Sequence, residues 1–130
     1  MSGDPMHEHE FIADCRARLA FDLLSGTWTG VVLLALRHGP LRPGELRDRI
    51  GGVSHKVLTG TLRRLEGDGL VARRRYAEAP PRVEYELTEA GRGLLEPIRA
   101  LGRWTERHAD DVLAARDRAA LGAAGELSGR

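Results

Sequence analysis

Apolar positions along the chain change period twice, from helical to alternating and back, and punctuating residues divide the helical stretches into elements. CRARLAFDLL places Leu19, Ala20, Leu23 and Leu24 at helical spacing, and Ser25-Gly26 ends the run. TWTGVVLLALRHG follows as a second helix; Val31, Val32, Leu33, Leu34 and Leu36 make it apolar almost all round, the pattern of a buried central helix. Gly39-Pro40 punctuates. A third, short helix can start at Pro43, since proline suits the first helical position, with Leu46 and Ile50 inward at i and i+4. Gly51-Gly52 stops it within two turns. Ser54 then has the placement of an N-cap for a fourth helix running to about Glu66, whose buried stripe is Leu58, Leu62 and Leu65. Two short helices joined by a glycine-containing turn form a helix-turn-helix.

Beyond Gly67-Asp68-Gly69, where Gly69 suits a left-handed cap, the period drops to two. LVARRRY is arginine-rich and predicted to be exposed, RVEYEL alternates with Val83, Tyr85 and Leu87 inward, and Ala77 to Pro81 makes the tip. The result is a β-hairpin directly behind the helix-turn-helix, hence a wing. A long last helix is predicted from an N-cap at Thr88 to about Arg116, with Pro97 kinking it or loosening its first two turns. Leu94, Ile98, Leu101, Trp104, His108 and Val112 follow steps of three or four residues. So small a domain has no further element to cover that stripe, and a second copy of the chain is the expected cover, making a homodimer. The division is therefore a flexible tail over residues 1–12, one winged helix-turn-helix domain over 13–116 and a flexible tail over 117–130, in a mainly α chain with one small β-hairpin.

Composition changes this picture in one respect. A net charge of +1 over 130 residues does not by itself suggest a nucleic-acid partner, but between Arg42 and Arg82 ten basic residues stand against five acidic ones. A single cysteine excludes an intramolecular disulfide and points to a reducing cytoplasm. No apolar run approaches the roughly 18 residues of a membrane span, and MSGDPMHEHE lacks the basic and apolar regions of a signal peptide. A soluble, cytoplasmic protein is expected.

The basic residues are not spread evenly around their helix. Opposite the leucine stripe of the fourth helix, the face centres on Lys56, Gly60 and Arg63, flanked by His55 and Thr59 on one side and Arg64 on the other. Such a face can enter a major groove, where lysine or arginine reads guanine and small side chains let the backbone come close. The candidate recognition set is Ser54, His55, Lys56, Thr59, Gly60 and Arg63, with Arg42, Arg73, Arg75 and Arg82 as wing and flank contacts to phosphate or a narrow minor groove. Arg74 points oppositely to Arg73 and Arg75 and is assigned a structural role. Against this stands the commoner case of a merely solvated basic face.

The stretches GTWTGVVLLAL, GPLRPGELRDRI, GVSHKVLTGTLRRLEGDGLV and PPRVEYELTEAGRGLLEPI resemble the HxlR-type winged helix-turn-helix regulators of bacteria, relatives of the MarR group, over roughly Cys15 to Trp104. The resemblance implies a homodimeric transcription factor, with the helix from Ser54 as recognition helix, the hairpin as wing, and N- and C-terminal dimerisation helices. Double-stranded DNA is the implied partner. The chain departs from the family pattern at Gly60 and Thr61, where relatives carry longer polar or basic side chains, and at Gly30, where a large apolar residue is usual.

Cys15 occupies the place at which family members carry a cysteine, which in some of them senses electrophiles or oxidants. A helix N-terminus with Arg16 and Arg18 favours the thiolate, Asp14 opposes it, and the alternative is a buried, inert thiol. His7 and His9, with Glu8 and Glu10, offer metal-ligand types without a fixed geometry, so neither metal nor cofactor is assigned. His38 and His108 read as surface or interface residues; Trp28, Phe21 and Trp104 as core rather than a ligand pocket. No phosphate loop, paired metal spacing or anchored Cys-His arrangement indicates an enzyme. The preferred function is a sequence-specific repressor on an inverted-repeat operator, switched by thiol modification or a small ligand. The alternative is a winged-helix dimer serving as a protein-interaction scaffold.

Overall fold

The structure, a computed structural model, describes residues 15–128, with side chains from 16 to 126; the tail over 1–12 and the His7–Glu10 cluster lie outside the described residues. In chain order the elements are α1 (Cys15–Leu23), α2 (Thr29–Ala35), α3 (Pro43–Ile50), α4 (His55–Gly67), β1 (Val71–Tyr76), β2 (Arg82–Leu87), α5 (Glu89–Gly93) and α6 (Leu95–Ser128). They fall into two compact units, divided between Leu95 and Glu96.

In the first unit the core comes from the leucine stripes. Val32, Leu33 and Leu36 from α2 and its end, Leu46 of α3, and Leu58, Leu62 and Leu65 of α4 are buried together with Leu70, Val71, Tyr85 and Leu87 at the base of the hairpin. α2 packs on α3 and α4, α4 on β1, and α3 on β2. Although α2 reads as apolar all round, Val31 remains 41% exposed. Among the described side chains of α1 only Ala17 is buried; Leu19 and Phe21 lie on the surface.

Local chemistry sets the boundaries. Glu45 Oε1 accepts the backbone N–H of Arg42 at 2.8 Å, closing the start of α3 behind Pro43. Gly51 and Gly52 both adopt φ +72°, a conformation that side chains resist, and they turn the chain from α3 to α4. Ser54 caps α4 by accepting from the Val57 amide at 3.1 Å. Gly69, at φ +74°, takes the left-handed position after α4.

β1 and β2 pair antiparallel, with Val71 opposite Leu87, Arg73 opposite Tyr85 and Arg75 opposite Val83. Leu41, just ahead of α3, exchanges both backbone hydrogen bonds with Tyr85, at 3.0 and 2.9 Å, pinning β2 against the helix-turn-helix. Thr88 anchors the other end. Its amide donates to the Leu70 carbonyl and its hydroxyl to the Gly69 carbonyl, while its oxygen caps α5 by accepting from Gly91 N–H.

The last helix is not continuous from Thr88. It is interrupted at Leu94 between α5 and α6, because Pro97 has no amide to give to the carbonyl of Gly93 and is accommodated only in the first turn of a new helix. Nor does it end near Arg116: α6 runs to Ser128, so residues of the expected tail are helical. Alanines at 114, 115, 119, 120, 123 and 124 supply the propensity that an apolar-stripe criterion overlooks. Within the second unit α6 exposes Leu101, Trp104, Leu113 and Leu121. Trp104 and His108 stack with ring centroids 5.0 Å apart, and Arg103 pairs with Glu96 at 2.9 Å. Among the described residues no helix is long and apolar enough to cross a membrane.

Candidate nucleic-acid interface

Burial divides α4 into two faces. Leu58, Thr61, Leu62 and Leu65 are buried, while His55, Lys56, Gly60 and Arg63 are exposed and Thr59 is half-buried. Ser54 is exposed and its hydroxyl is committed to the cap. Thr61, one of the two departures from the family pattern in this helix, lies on the buried face. Its hydroxyl donates to the Val57 carbonyl at 2.9 Å, which satisfies a polar group that lies three positions after Leu58 and so belongs to the same buried stripe. Arg64 stays exposed but is engaged within the fold. Its guanidinium donates to Thr29 Oγ1 at 3.0 Å and sits over Gly26, where a Cβ would come within 2.4 Å of Arg64 Nη2.

Strand register decides which wing arginines are free. Directly opposed residues of an antiparallel pair share a face, so Arg73 and Arg75 lie on the side of Tyr85 and Val83, and Arg74 on the other with Glu84. Arg74 forms an ion pair with Glu86. Arg82 is also engaged within the hairpin: it lies 4.3 Å over the Tyr76 ring and pairs with Glu78 at 3.3 Å and Glu84 at 3.5 Å. The outer face is thus close to neutral. Lys56, Arg63, Arg73 and Arg75 form no ion pair among the described residues. Arg73 joins His55, Thr59, Arg63 and Glu66 in lining an open cleft between α4 and the hairpin, floored by Leu62, Val83 and Tyr85. Arg42 is exposed at the start of α3, along a second groove shared with Pro80, Pro81 and Arg82. What results is a basic surface continuous from α4 to the inner face of the wing.

Val57, 43% exposed on α4, is absent from the sequence-derived set. Its signal was its offset of one residue, about 100°, from the centre of the buried stripe at Leu58. Gly60 has open space where a Cβ would be, and a glycine inside a helix costs about 1 kcal/mol relative to alanine.

The remaining candidates are separate from this surface. Cys15 begins α1, and its side chain lies outside the described residues. Leu94 is half-buried and Ile98 already buried in the single chain, whereas Leu101, Trp104 and His108 are exposed and Val112 is half-buried. Phe21, 73% exposed, and Trp104, 51% exposed, are not core residues, contrary to the sequence expectation; Trp28 is half-buried. No group of three His, Cys, Asp or Glu among the described residues is arranged to hold a metal ion.

The HxlR-like helix-turn-helix family model matches residues 23–112. An uncharacterized HTH-type transcriptional regulator of Methanothermobacter thermautotrophicus is 42% identical over 103 residues, 79% of this chain and 77% of that protein. The HTH-type transcriptional regulator YtfH of Escherichia coli is 41% identical over 107 residues, 82% of this chain and 85% of YtfH. Among solved structures, the redox regulator HypR in its oxidized form aligns with a TM-score of 0.66 at 35% identity, covering 72% of this chain and 96% of HypR; its reduced form aligns at 0.69 and 33%, covering 76% and 98%.

Proposed function

The chain belongs to the HxlR-like helix-turn-helix family of transcriptional regulators, and from that premise we propose that it is a sequence-specific DNA-binding repressor, acting in the cytoplasm as a homodimer on an inverted-repeat operator. The observation that carries this reading is the run of unpaired cations from Lys56 and Arg63 on α4 to Arg73 and Arg75 on the wing. α4 enters the major groove with His55, Lys56, Thr59 and Arg63 toward base edges. Arg73, Arg75 and Arg42 hold phosphates or a narrow minor groove. Arg82, engaged with Tyr76 and two glutamates, shapes the wing and contacts DNA through its remaining donors. In the dimer two copies of α4 occupy successive major grooves about 34 Å apart, and Leu101, Trp104, His108 and Val112, with Leu94 and Ile98 behind them, contribute to the interface.

Control by a thiol at Cys15 is favoured by the redox-regulator identity of HypR. An oxidant that joins the two Cys15 thiols, or an electrophile that caps them, would reposition the α4 pair and release DNA. Anisotropy binding to DNA from the upstream region of the protein's own gene tests the reading. Lys56→Ala with Arg63→Ala should abolish specific binding, and diamide should release wild type but not Cys15→Ser. Binding that diamide leaves intact would move the signal to a small ligand. Absence of any specific binding would leave a protein-interaction scaffold.

A further inference from the structure

The exposed centre of α4 holds a glycine that the fold does not require. Gly91 and Gly26 are crowded by neighbouring atoms, and Gly51, Gly52 and Gly69 have positive φ, whereas Gly44, Gly67, Gly93, Gly102, Gly122 and Gly125 have neither constraint. Gly60 has neither, since nothing lies within 4 Å of a Cβ built there and its φ is not positive. Because alanine is the better helix former, the folded chain alone would gain from a methyl group at this point. Its place sets Gly60 apart from those other unconstrained glycines: it stands at the centre of the exposed face of α4.

What surrounds Gly60 indicates what that opening can receive. On a helix surface its neighbours are the residues three and four positions away, here Lys56, Val57, Arg63 and Arg64. Arg64 is turned away to Thr29, which leaves bare backbone at Gly60 beside the exposed isopropyl group of Val57 and between two unpaired cations. A phosphate would gain nothing from an apolar notch. In the major groove thymine presents a methyl group, and neighbouring guanines present the acceptors that lysine and arginine take.

We propose that Gly60 and Val57 form a notch that seats a thymine C5-methyl group, setting α4 deep enough for Lys56 and Arg63 to reach guanines next to that thymine. Gly60 is on this view a specificity determinant for one thymine in each half-site, and a Cβ there competes with the methyl for the same space. The proposal rests on the DNA-binding function above.

The test uses the full chain and the site that wild type selects from a random duplex pool. Gly60→Ala should raise the melting temperature by about 3–5 °C yet weaken binding to that site by at least about tenfold. Replacing one thymine per half-site with deoxyuridine should weaken wild type by about three- to tenfold and leave Gly60→Ala almost unaffected, because the two changes remove the same contact. Equal affinity of Gly60→Ala and wild type, or indifference of wild type to the loss of every thymine methyl, overturns the notch while DNA binding stands. Failure of wild type to enrich any sequence overturns the DNA-binding function and the notch with it.

Discussion

Gly91 shows how much one missing side chain can decide. A Cβ there would stand 2.0 Å from the Leu70 carbonyl oxygen, which itself accepts from Thr88 N–H. Neither the carbonyl nor the strand behind it can yield without losing that bond, so Gly91→Ala should destabilise the fold by about 3 kcal/mol or more, read as a lower urea midpoint. Gly60→Ala should move stability the opposite way, although both are glycines within helices. Arg64 is a second such residue. Read from periodicity it flanks the DNA face; in the fold it ties α4 to Thr29. Arg64→Ala should cost about 1 kcal/mol of stability, and its effect on operator affinity should be small compared with Arg63→Ala. The two arginines are adjacent, but the roughly 100° step between them turns one to solvent and the other to α2.

Within the hairpin, two-residue alternation does what the 100° step does in α4. Arg73 and Arg75 share the inner face with Tyr85 and Val83, and Arg74 meets Glu84 and Glu86 on the outer one. Each phosphate contact contributes about one unit to the slope of log affinity against log salt. Arg73→Ala and Arg75→Ala should therefore each flatten the slope by about one unit in a salt titration of operator binding, while Arg74→Ala leaves it unchanged. A slope indifferent to Arg73 and Arg75 would remove the wing from the DNA interface. This alternation was legible in RVEYEL and in the arginine triplet. The pairing of Arg82 with Tyr76, Glu78 and Glu84 was not, because it depends on cross-strand register, and register depends on the length of the tip.

At the scale of the whole molecule, large apolar side chains stand exposed on two of the helices. Leu101, Trp104, Leu113 and Leu121 are exposed along α6, and Leu19 and Phe21 along α1. Exposed apolar stripes of this kind are covered by association. Replacing Leu101 and Trp104 together by glutamate should convert the protein to a monomer in sedimentation analysis. Losing the second half-site contact should then weaken operator binding on the order of a hundredfold, with the melting of the first unit little changed. A double variant that still sediments as a dimer would place the interface elsewhere.

Sequence alone determined what depends on neighbours a few residues apart. The Ser54 cap, the Gly51-Gly52 turn, the stripe of Leu58, Leu62 and Leu65, and the alternation of β2 were legible because a cap, a positive φ and a helical or strand period act over one or two turns. Even the break ahead of Pro97 followed from a missing amide. Tertiary structure decided what depends on partners far along the chain: Thr61 buried with the leucines, Arg64 held by Thr29, Arg82 held by its own hairpin, and Gly60 left with no internal neighbour at all. A polar or charged side chain carries no mark in its own sequence of whether another element will satisfy it. Only packing, by bringing or withholding that partner, separates the cations that hold the fold together from those left unpaired at the surface.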